Sequence, residues 1–127
     1  MSRVVLDSSA VLALLQQEQG ADFVLTLIGD AVISAVNAAE VQTKLVRDGM
    51  VPADARSDLE ACVQSIVPFD VDQSEMAAAL IKQTTPFGLS LGDRACLALG
   101  LATNSPVYTA DRAWAQLQVG VDVRLVR

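Results

Sequence analysis

The chain has 127 residues, of which 52% are hydrophobic and only 4% aromatic, and its formal net charge is −6. This length predicts one domain over residues 1–127, and the apolar fraction excludes intrinsic disorder. The negative charge excludes the broad basic surface of a general nucleic-acid binder, so any contact with nucleic acid has to be local. A core of aliphatic rather than aromatic side chains favours helices packed on a parallel sheet.

The absence of histidine restricts the chemistry that the chain can perform. It removes Ser-His-Asp and Cys-His triads, histidine general bases and histidine zinc ligands, which leaves carboxylates as the candidates. Cys62 and Cys96 lie far apart among apolar residues and are predicted to be buried free thiols, as suits a reducing cytoplasm. No run of about 18 uncharged apolar residues is present, so we expect no membrane span. Asp7 interrupts the apolar N-terminal run, and we expect no secretion signal.

Apolar runs and helical periods alternate along the chain. Strands are predicted at residues 4–6, 31–34, 66–69, 107–110 and 121–126. Helices are predicted at residues 8–17, 21–28, 37–48, 53–65 with Pro52 at the start, 70–84, 90–103 and 111–117, with a loop at 85–88. Long crossover connections predict a three-layer α/β/α sandwich around a central, mostly parallel five-stranded sheet. Pro68 favours an edge position for the third strand.

Four acidic residues are predicted to converge at one edge of this sheet. In an open parallel sheet, ligands bind beyond the carboxyl ends of the strands. Asp7 ends the first strand and Asp111 the fourth, Glu40 lies one helical turn past the second, and Asp93 opens the helix that leads into the fourth. We therefore expect these four carboxylates to form one site.

Two other acids are predicted to lie at the opposite edge. Asp30 and Asp122 each precede a strand, so they serve as negative controls for the site. Asp70 follows a strand but is interpreted only as a helix cap.

Each of the four acids also has a purely structural interpretation. Asp7 and Asp111 fit helix N-caps, and the pairs at residues 37–40 and 90–93 fit capping boxes. Taken together, however, clustered carboxylates raise one another's pKa and destabilise the fold unless a cation compensates. Oxygen ligands without histidine or cysteine favour Mg²⁺, or Mn²⁺ as a substitute, over zinc. Such a metal lowers the pKa of a bound water and neutralises charge at a phosphodiester.

Four segments share a pattern with a known family. They are residues 5–10 (VLDSSA), 33–41 (ISAVNAAEV), 89–99 (LSLGDRACLAL) and 108–114 (YTADRAW). In this order, and over the whole chain, they resemble the PIN domain, specifically the VapC-type toxins of bacterial toxin–antitoxin pairs.

The resemblance implies a magnesium-dependent endoribonuclease that a cognate antitoxin holds inactive. It implies that Asp7, Glu40, Asp93 and Asp111 form an acidic quartet, with Asp7 and Asp93 as direct metal ligands. Ser9 and Thr109 would support the site through hydroxyl hydrogen bonds, and they fit equally well as capping or turn residues.

Two arginines and one tryptophan adjoin the quartet in sequence. Arg94 and Arg112 are candidates for contact with RNA phosphates, and the alternative is that they are solvated or paired, since neighbours on a helix point about 100° apart. Trp114 is interpreted as a packing residue.

A second functional class remains open from the sequence. The same scaffold could be a non-catalytic regulatory module that uses its acids to bind a cation or a partner.

Alanine-rich apolar helices and a charge of −6 also fit a self-associating protein with a basic peptide partner. The resemblance implies that this partner is an antitoxin and that the chain forms a homodimer.

Overall fold

Five short strands form the centre of the structure, a computed structural model that describes residues 2–127. They are β1 (Val4–Leu6), β2 (Ala31–Ser34), β3 (Ser65–Val67), β4 (Val107–Thr109) and β5 (Val123–Leu125). All neighbouring strands are parallel, in the order β3-β2-β1-β4-β5. The strands therefore all end at the same edge of the sheet, with β1 in the middle.

Helices cover both faces of this sheet. They are α1 (Ser8–Leu15), α2 (Ala21–Leu25), α3 (Ala35–Arg47), α4 (Pro52–Glu60), α5 (Val71–Ala79), α6 (Ile81–Thr84) and α7 (Leu91–Thr103). Short 3₁₀ helices lie at Ile28–Asp30, Thr85–Phe87 and Arg112–Gln116. The predicted three-layer α/β/α sandwich is confirmed, and the sheet is parallel throughout.

Successive side chains of β1 divide the core between the two faces, because side chains alternate along a strand. Leu6 packs in one cluster with Val41 of α3, and Val5 packs in the other with Leu97 of α7. All four of these side chains are fully buried. Trp114 is also fully buried, in the same cluster as Val5, which agrees with its interpretation as a packing residue.

Helix α4 ends at Glu60, five residues before the predicted end. The backbone N–H of Gln64 already donates to the Ala31 carbonyl at 2.7 Å, so the chain has joined the sheet by this point. Cys62 and Val63 are buried in the connecting turn, and as apolar residues they extend the helical hydrophobic pattern of α4 past its end. β3 then begins at Ser65, and it lies at the edge of the sheet as predicted.

Helix α3 begins two residues earlier than predicted. Ser34 is its N-cap, since the Ser34 hydroxyl accepts a hydrogen bond from the Val36 N–H at 3.2 Å. The interpretation of Asn37 and Glu40 as a capping box is therefore wrong, because Asn37 lies inside the first turn of the helix. Its side chain is free to make other contacts.

The predicted helix at residues 70–84 is divided in two. α5 ends at Ala79 and α6 begins at Ile81, and the predicted loop at 85–88 is a 3₁₀ turn ended by Gly88 at φ 70°. The predicted helix after Asp111 is likewise a 3₁₀ helix. β1 and β2 have the predicted bounds, and the remaining elements differ from prediction only at their ends, where fraying and sheet pairing decide the boundary.

Cys62 and Cys96 are free and buried, as predicted. Within residues 2–127, no helix has both the length and the apolar character needed to cross a membrane.

Gly100 of helix α7 packs directly against Val107 of β4 and Val121 of the segment before β5. A Cβ at this position would come within 2.5 Å of Val107 Cγ2 and 2.8 Å of Val121 Cγ2. We predict that Gly100→Ala lowers the free energy of unfolding by about 1–3 kcal/mol in urea denaturation, because overpacking outweighs the better helix propensity of alanine. Gly29→Ala is the matched control, since nothing lies within 4 Å of its added Cβ. A Gly100→Ala variant as stable as the parent would show that this contact is not tight.

Candidate active site

Asp7 connects the end of β1 to the start of α1. It is only 3% exposed, and its Oδ1 caps the helix by accepting from the Ala10 N–H at 2.9 Å. The same oxygen accepts from the Ser9 hydroxyl at 2.7 Å, and Oδ2 accepts from the Thr109 hydroxyl at 2.7 Å. The carboxylate is therefore fixed both by its own helix and by β4.

The Ser9 and Thr109 hydroxyls join the ends of β1 and β4. Each gives its proton to Asp7 and accepts a backbone N–H, from Ala110 at 2.9 Å and from Asp111 at 3.0 Å. These contacts agree with the hydrogen-bonding role that the resemblance implied. Whether the two residues support a bound metal stays a prediction.

Burial raises the pKa of Asp7 from its usual 3.8 to about 6. The hydrogen bonds from Ser9, Thr109 and Ala10 lower this pKa, and the negative charge of Asp93 raises it further. Asp7 is therefore charged at neutral pH, but its charge is poorly solvated.

Asp93 lies in the first turn of α7 and forms a capping box with Ser90. Its Oδ2 accepts from the Ser90 N–H at 2.9 Å, and its own N–H donates to the Ser90 hydroxyl at 3.2 Å. Burial raises the pKa of Asp93, as do the nearby charges of Glu40 and Asp111, while the bonds from Ser90 lower it. Because Asp93 also raises the pKa of Asp7, it interacts electrostatically with each of the other three acids.

Glu40 and Asp111 form the exposed side of the same group of acids. Glu40 Oε1 accepts from the Ser8 hydroxyl at 3.0 Å and from the Asn37 amide at 2.8 Å. Asp111 Oδ1 caps its 3₁₀ helix by accepting from the Ala113 N–H at 3.0 Å. Each side chain is thus held through one oxygen.

The four acids have one oxygen each that is little used by the protein. Within residues 2–127, Asp93 Oδ1, Glu40 Oε2 and Asp111 Oδ2 accept no hydrogen bond, and Asp7 Oδ2 accepts only one. These oxygens give a donor set suited to a hard divalent cation such as Mg²⁺.

The acids do not form a closed metal cage. In the described part of the chain, no three carboxylates or thiols are close enough together to enclose a metal ion. This arrangement fits Mg²⁺, which commonly uses one or two protein carboxylates and keeps several waters. Burial and the charges of the nearby acids raise the pKa of the Cys96 thiol well above its usual value, and a thiol is a poor ligand for a hard cation such as Mg²⁺.

The control acids lie elsewhere, as predicted. Asp30 and Asp122 precede β2 and β5 and are therefore at the opposite edge of the sheet, where Asp122 pairs with Arg124 at 2.6 Å. Asp70 caps α5 by accepting from the Gln73 N–H at 2.8 Å.

The two candidate arginines differ in their surroundings. Arg94 is half-buried and donates from Nη1 to the Ala77 carbonyl of α5 at 2.9 Å, so it ties two helices together. Arg112 is exposed beside Asp111. Contact with RNA phosphates stays a prediction for both, and the geometry favours Arg112.

Two neighbours of Glu40 were missed by the sequence argument. Asn37 is fully buried and donates to both Glu40 and the Gly92 carbonyl, and Gly92 leaves the space that the Glu40 carboxylate occupies. The spacing of three residues between Asn37 and Glu40 was a usable signal, because side chains at this spacing meet on a helix.

The raised pKa of Asp7 predicts an unusual dependence of stability on pH. The pKa of Asp7 is higher in the folded chain than in the unfolded chain, so protonation of Asp7 stabilises the fold. This stabilisation is complete below pH 3.8 and is lost as the pH rises through about 6. The loss amounts to up to about 3 kcal/mol. We predict that Asp7→Asn, measured by urea denaturation with EDTA, is more stable than the parent above this range and not below it. If the free energy of unfolding depended on pH equally in both proteins, burial would not be raising the pKa of Asp7.

Comparisons with known proteins agree with this architecture. No curated protein sequence matches the chain significantly. Among solved structures, a chain of the DNA-bound VapBC from Salmonella typhimurium is 12% identical with a TM-score of 0.74, covering 100% of both chains. A chain of a toxin–antitoxin complex from Klebsiella pneumoniae is 18% identical with a TM-score of 0.76, covering 98% of both. A chain of VapBC-5 from Mycobacterium tuberculosis is 22% identical with a TM-score of 0.64, covering 100% of this chain and 99% of that one.

At these identities the structural likeness establishes the fold, and the family follows from a separate match. The profile described as PIN domain matches residues 4–120. This range contains the four acids and all but the last strand of the sheet. The chain belongs to the PIN domain family.

Proposed function

We propose that the protein is a metal-dependent endoribonuclease and the toxin of a toxin–antitoxin pair. The observation that supports this most strongly is Asp7, a buried carboxylate whose charge lies near a second half-buried carboxylate, Asp93. Such a pair is unfavourable in the protein alone and favourable around a cation. Membership of the PIN family supports a nuclease as the use of that cation.

Asp7 and Asp93 are the proposed direct ligands of Mg²⁺, with Mn²⁺ as a substitute. Asp7 is held by three hydrogen bonds, and Asp93 has one carboxylate oxygen, Oδ1, that accepts no hydrogen bond within residues 2–127. Glu40 and Asp111 are more exposed, which suits contact through metal-bound waters. A bound Mg²⁺ would lower the pKa of a water and neutralise negative charge at the scissile phosphate.

RNA is proposed as the substrate because the four sequence segments resemble VapC-type toxins. The net charge of −6 means that the protein as a whole repels a polyanion, so the contact has to be made close to the metal. The exposed guanidinium of Arg112, next to Asp111, is the proposed local contact for a phosphate.

The alternative function is a non-catalytic module that binds a cation or a partner through the same acids. In either case a bound cation would stabilise the buried charge of Asp7, so cleavage of RNA is what distinguishes the two functions.

We predict that the purified protein cleaves RNA in Mg²⁺ or Mn²⁺ and that EDTA stops the cleavage. Asp93→Asn should lower the rate by at least about 100-fold, because it removes the acid that interacts with the other three. The measurement is the initial rate of cleavage of a mixed RNA substrate, resolved by gel electrophoresis.

Asp30→Asn is the matched control, since it removes one exposed charge at the opposite edge of the sheet. It should cleave at the parental rate. Equal cleavage by the parent and Asp93→Asn, with equal affinity for Mn²⁺, would reject the enzyme and favour the binding module.

An antitoxin and a second copy of the chain are the proposed protein partners. The structures that this chain resembles include a toxin–antitoxin complex and a member of the VapBC family of toxin–antitoxin systems. The described surface also exposes several large apolar side chains, and a contiguous group of them would form an interaction site. They are Phe23, Leu25, Val46, Val51, Val71, Ile81 and Leu91.

The cytoplasm is the proposed location of the protein. Both the proposed RNA substrate and the two free thiols support it.

We predict that expression of the chain alone arrests growth and that co-expression of the neighbouring open reading frame restores it through a stable complex. Asp93→Asn should not arrest growth but should still form that complex, because it changes the site and not the apolar surface. Growth assays and size-exclusion chromatography with light scattering measure both effects and show whether the free chain is a dimer. Restored growth without a complex would count against the antitoxin.

A further inference from the structure

Asn37 is the buried polar side chain next to Glu40. It is fully buried inside the first turn of α3, and its Nδ2 donates two hydrogen bonds. One goes to Glu40 Oε1 at 2.8 Å and the other to the Gly92 carbonyl of α7 at 2.9 Å. A single amide therefore connects the exposed carboxylate to the helix turn that holds Asp93.

The amide orientation is fixed by what surrounds it. If the amide were flipped, Oδ1 would face two acceptors, Glu40 Oε1 and the Gly92 carbonyl, and both bonds would be lost. In the observed orientation Oδ1 is buried without a hydrogen-bond partner. Unpartnered buried oxygens are uncommon and unfavourable in proteins. A purely apolar residue would avoid this penalty, so the amide is best explained by the two bonds that Nδ2 makes.

Gly92 completes the contact from the side of α7. A Cβ at Gly92 would overlap the carboxylate of Glu40. The overlapped atoms are the far end of a flexible side chain, so the helix could accept alanine while the carboxylate moved away. This differs from Gly100 on the same helix, where the obstructing atoms belong to buried packing in the sheet and its neighbouring loop.

We propose that Asn37 and Gly92 position Glu40 for the metal site, Asn37 by holding one carboxylate oxygen and Gly92 by leaving the space for it. Both are positioning residues, since they act through Glu40 and touch neither metal nor substrate. The inference rests on the proposed metal-dependent function. It adds that the contact between Asn37 of α3 and Gly92 of α7 contributes to the affinity for the metal.

The test measures binding of Mn²⁺ alone by isothermal titration calorimetry, for the full chain, its Asn37→Ala and Gly92→Ala variants, and each of these combined with Glu40→Gln. We expect each single variant to bind Mn²⁺ about tenfold more weakly than the parent, as expected for residues that orient metal ligands. In the Glu40→Gln background, neither change should weaken binding further, because the residue through which both act is already altered.

Thermal unfolding separates positioning from a loss of structure. Gly92→Ala should melt at the parental temperature or slightly above it, because alanine favours a helix more than glycine does. Gln73→Ala is the matched control for Asn37→Ala. Gln73 is another buried amide with an unpartnered oxygen, but its Nε2 donates to the Pro68 carbonyl rather than to an acid of the site. This control should bind Mn²⁺ with the parental affinity.

Three results would overturn the inference. They are parental Mn²⁺ affinity in folded Asn37→Ala and Gly92→Ala, the same loss of affinity in the Glu40→Gln background as in the parent, and no binding of Mn²⁺ by the parent. If Mn²⁺ binding follows the expected pattern but RNA is not cleaved, the positioning role stands and the nuclease function fails.

Discussion

The charge of Asp7 has to be held at the end of the central strand, and much of the local structure is arranged around it. Burial alone would favour the neutral acid, and the charge of Asp93 adds to this. Three hydrogen bonds, from α1 and from β4, act in the opposite direction and keep both carboxylate oxygens in place. Sheet order is part of the same constraint, because β4 lies next to β1 and brings Thr109 to Asp7. The proposed cation would stabilise this charge further.

Helix capping and the acidic site use the same carboxylates without conflict. Asp7 and Asp111 are helix N-caps, and Asp93 completes the capping box of Ser90. In each case one oxygen serves the cap, and the other accepts at most one hydrogen bond from the part of the chain that the structure describes. Glu40 is the exception, since it is not a cap and is held instead by Ser8 and Asn37. Because side chains rather than backbone N–H groups hold Glu40, its position depends on the identity of these two neighbours.

The sheet, its parallel strands and the common edge of the four acids could be predicted from the sequence because they depend on local patterns. The apolar runs that end at Asp7 and Asp111 are examples. The early end of α4 could not be predicted, because it is decided by the hydrogen bond between Gln64 and Ala31, two residues that lie far apart in the sequence. The contact of Asn37 with Gly92 joins residues 55 positions apart, and the surroundings of Arg94 depend on how α5 packs against α7. Tertiary contacts of this kind have no signature in the local sequence.

The central claim is that Asp7 carries an unfavourable buried charge that a divalent cation stabilises. Titration of the Asp7 carboxyl carbon by ¹³C NMR, with and without saturating Mg²⁺, measures this directly. The structure predicts a midpoint near 6 without metal and a midpoint well below that value with Mg²⁺, because the cation favours the charged form. A midpoint near the usual 3.8 without metal, or one that Mg²⁺ leaves unchanged, would contradict the account.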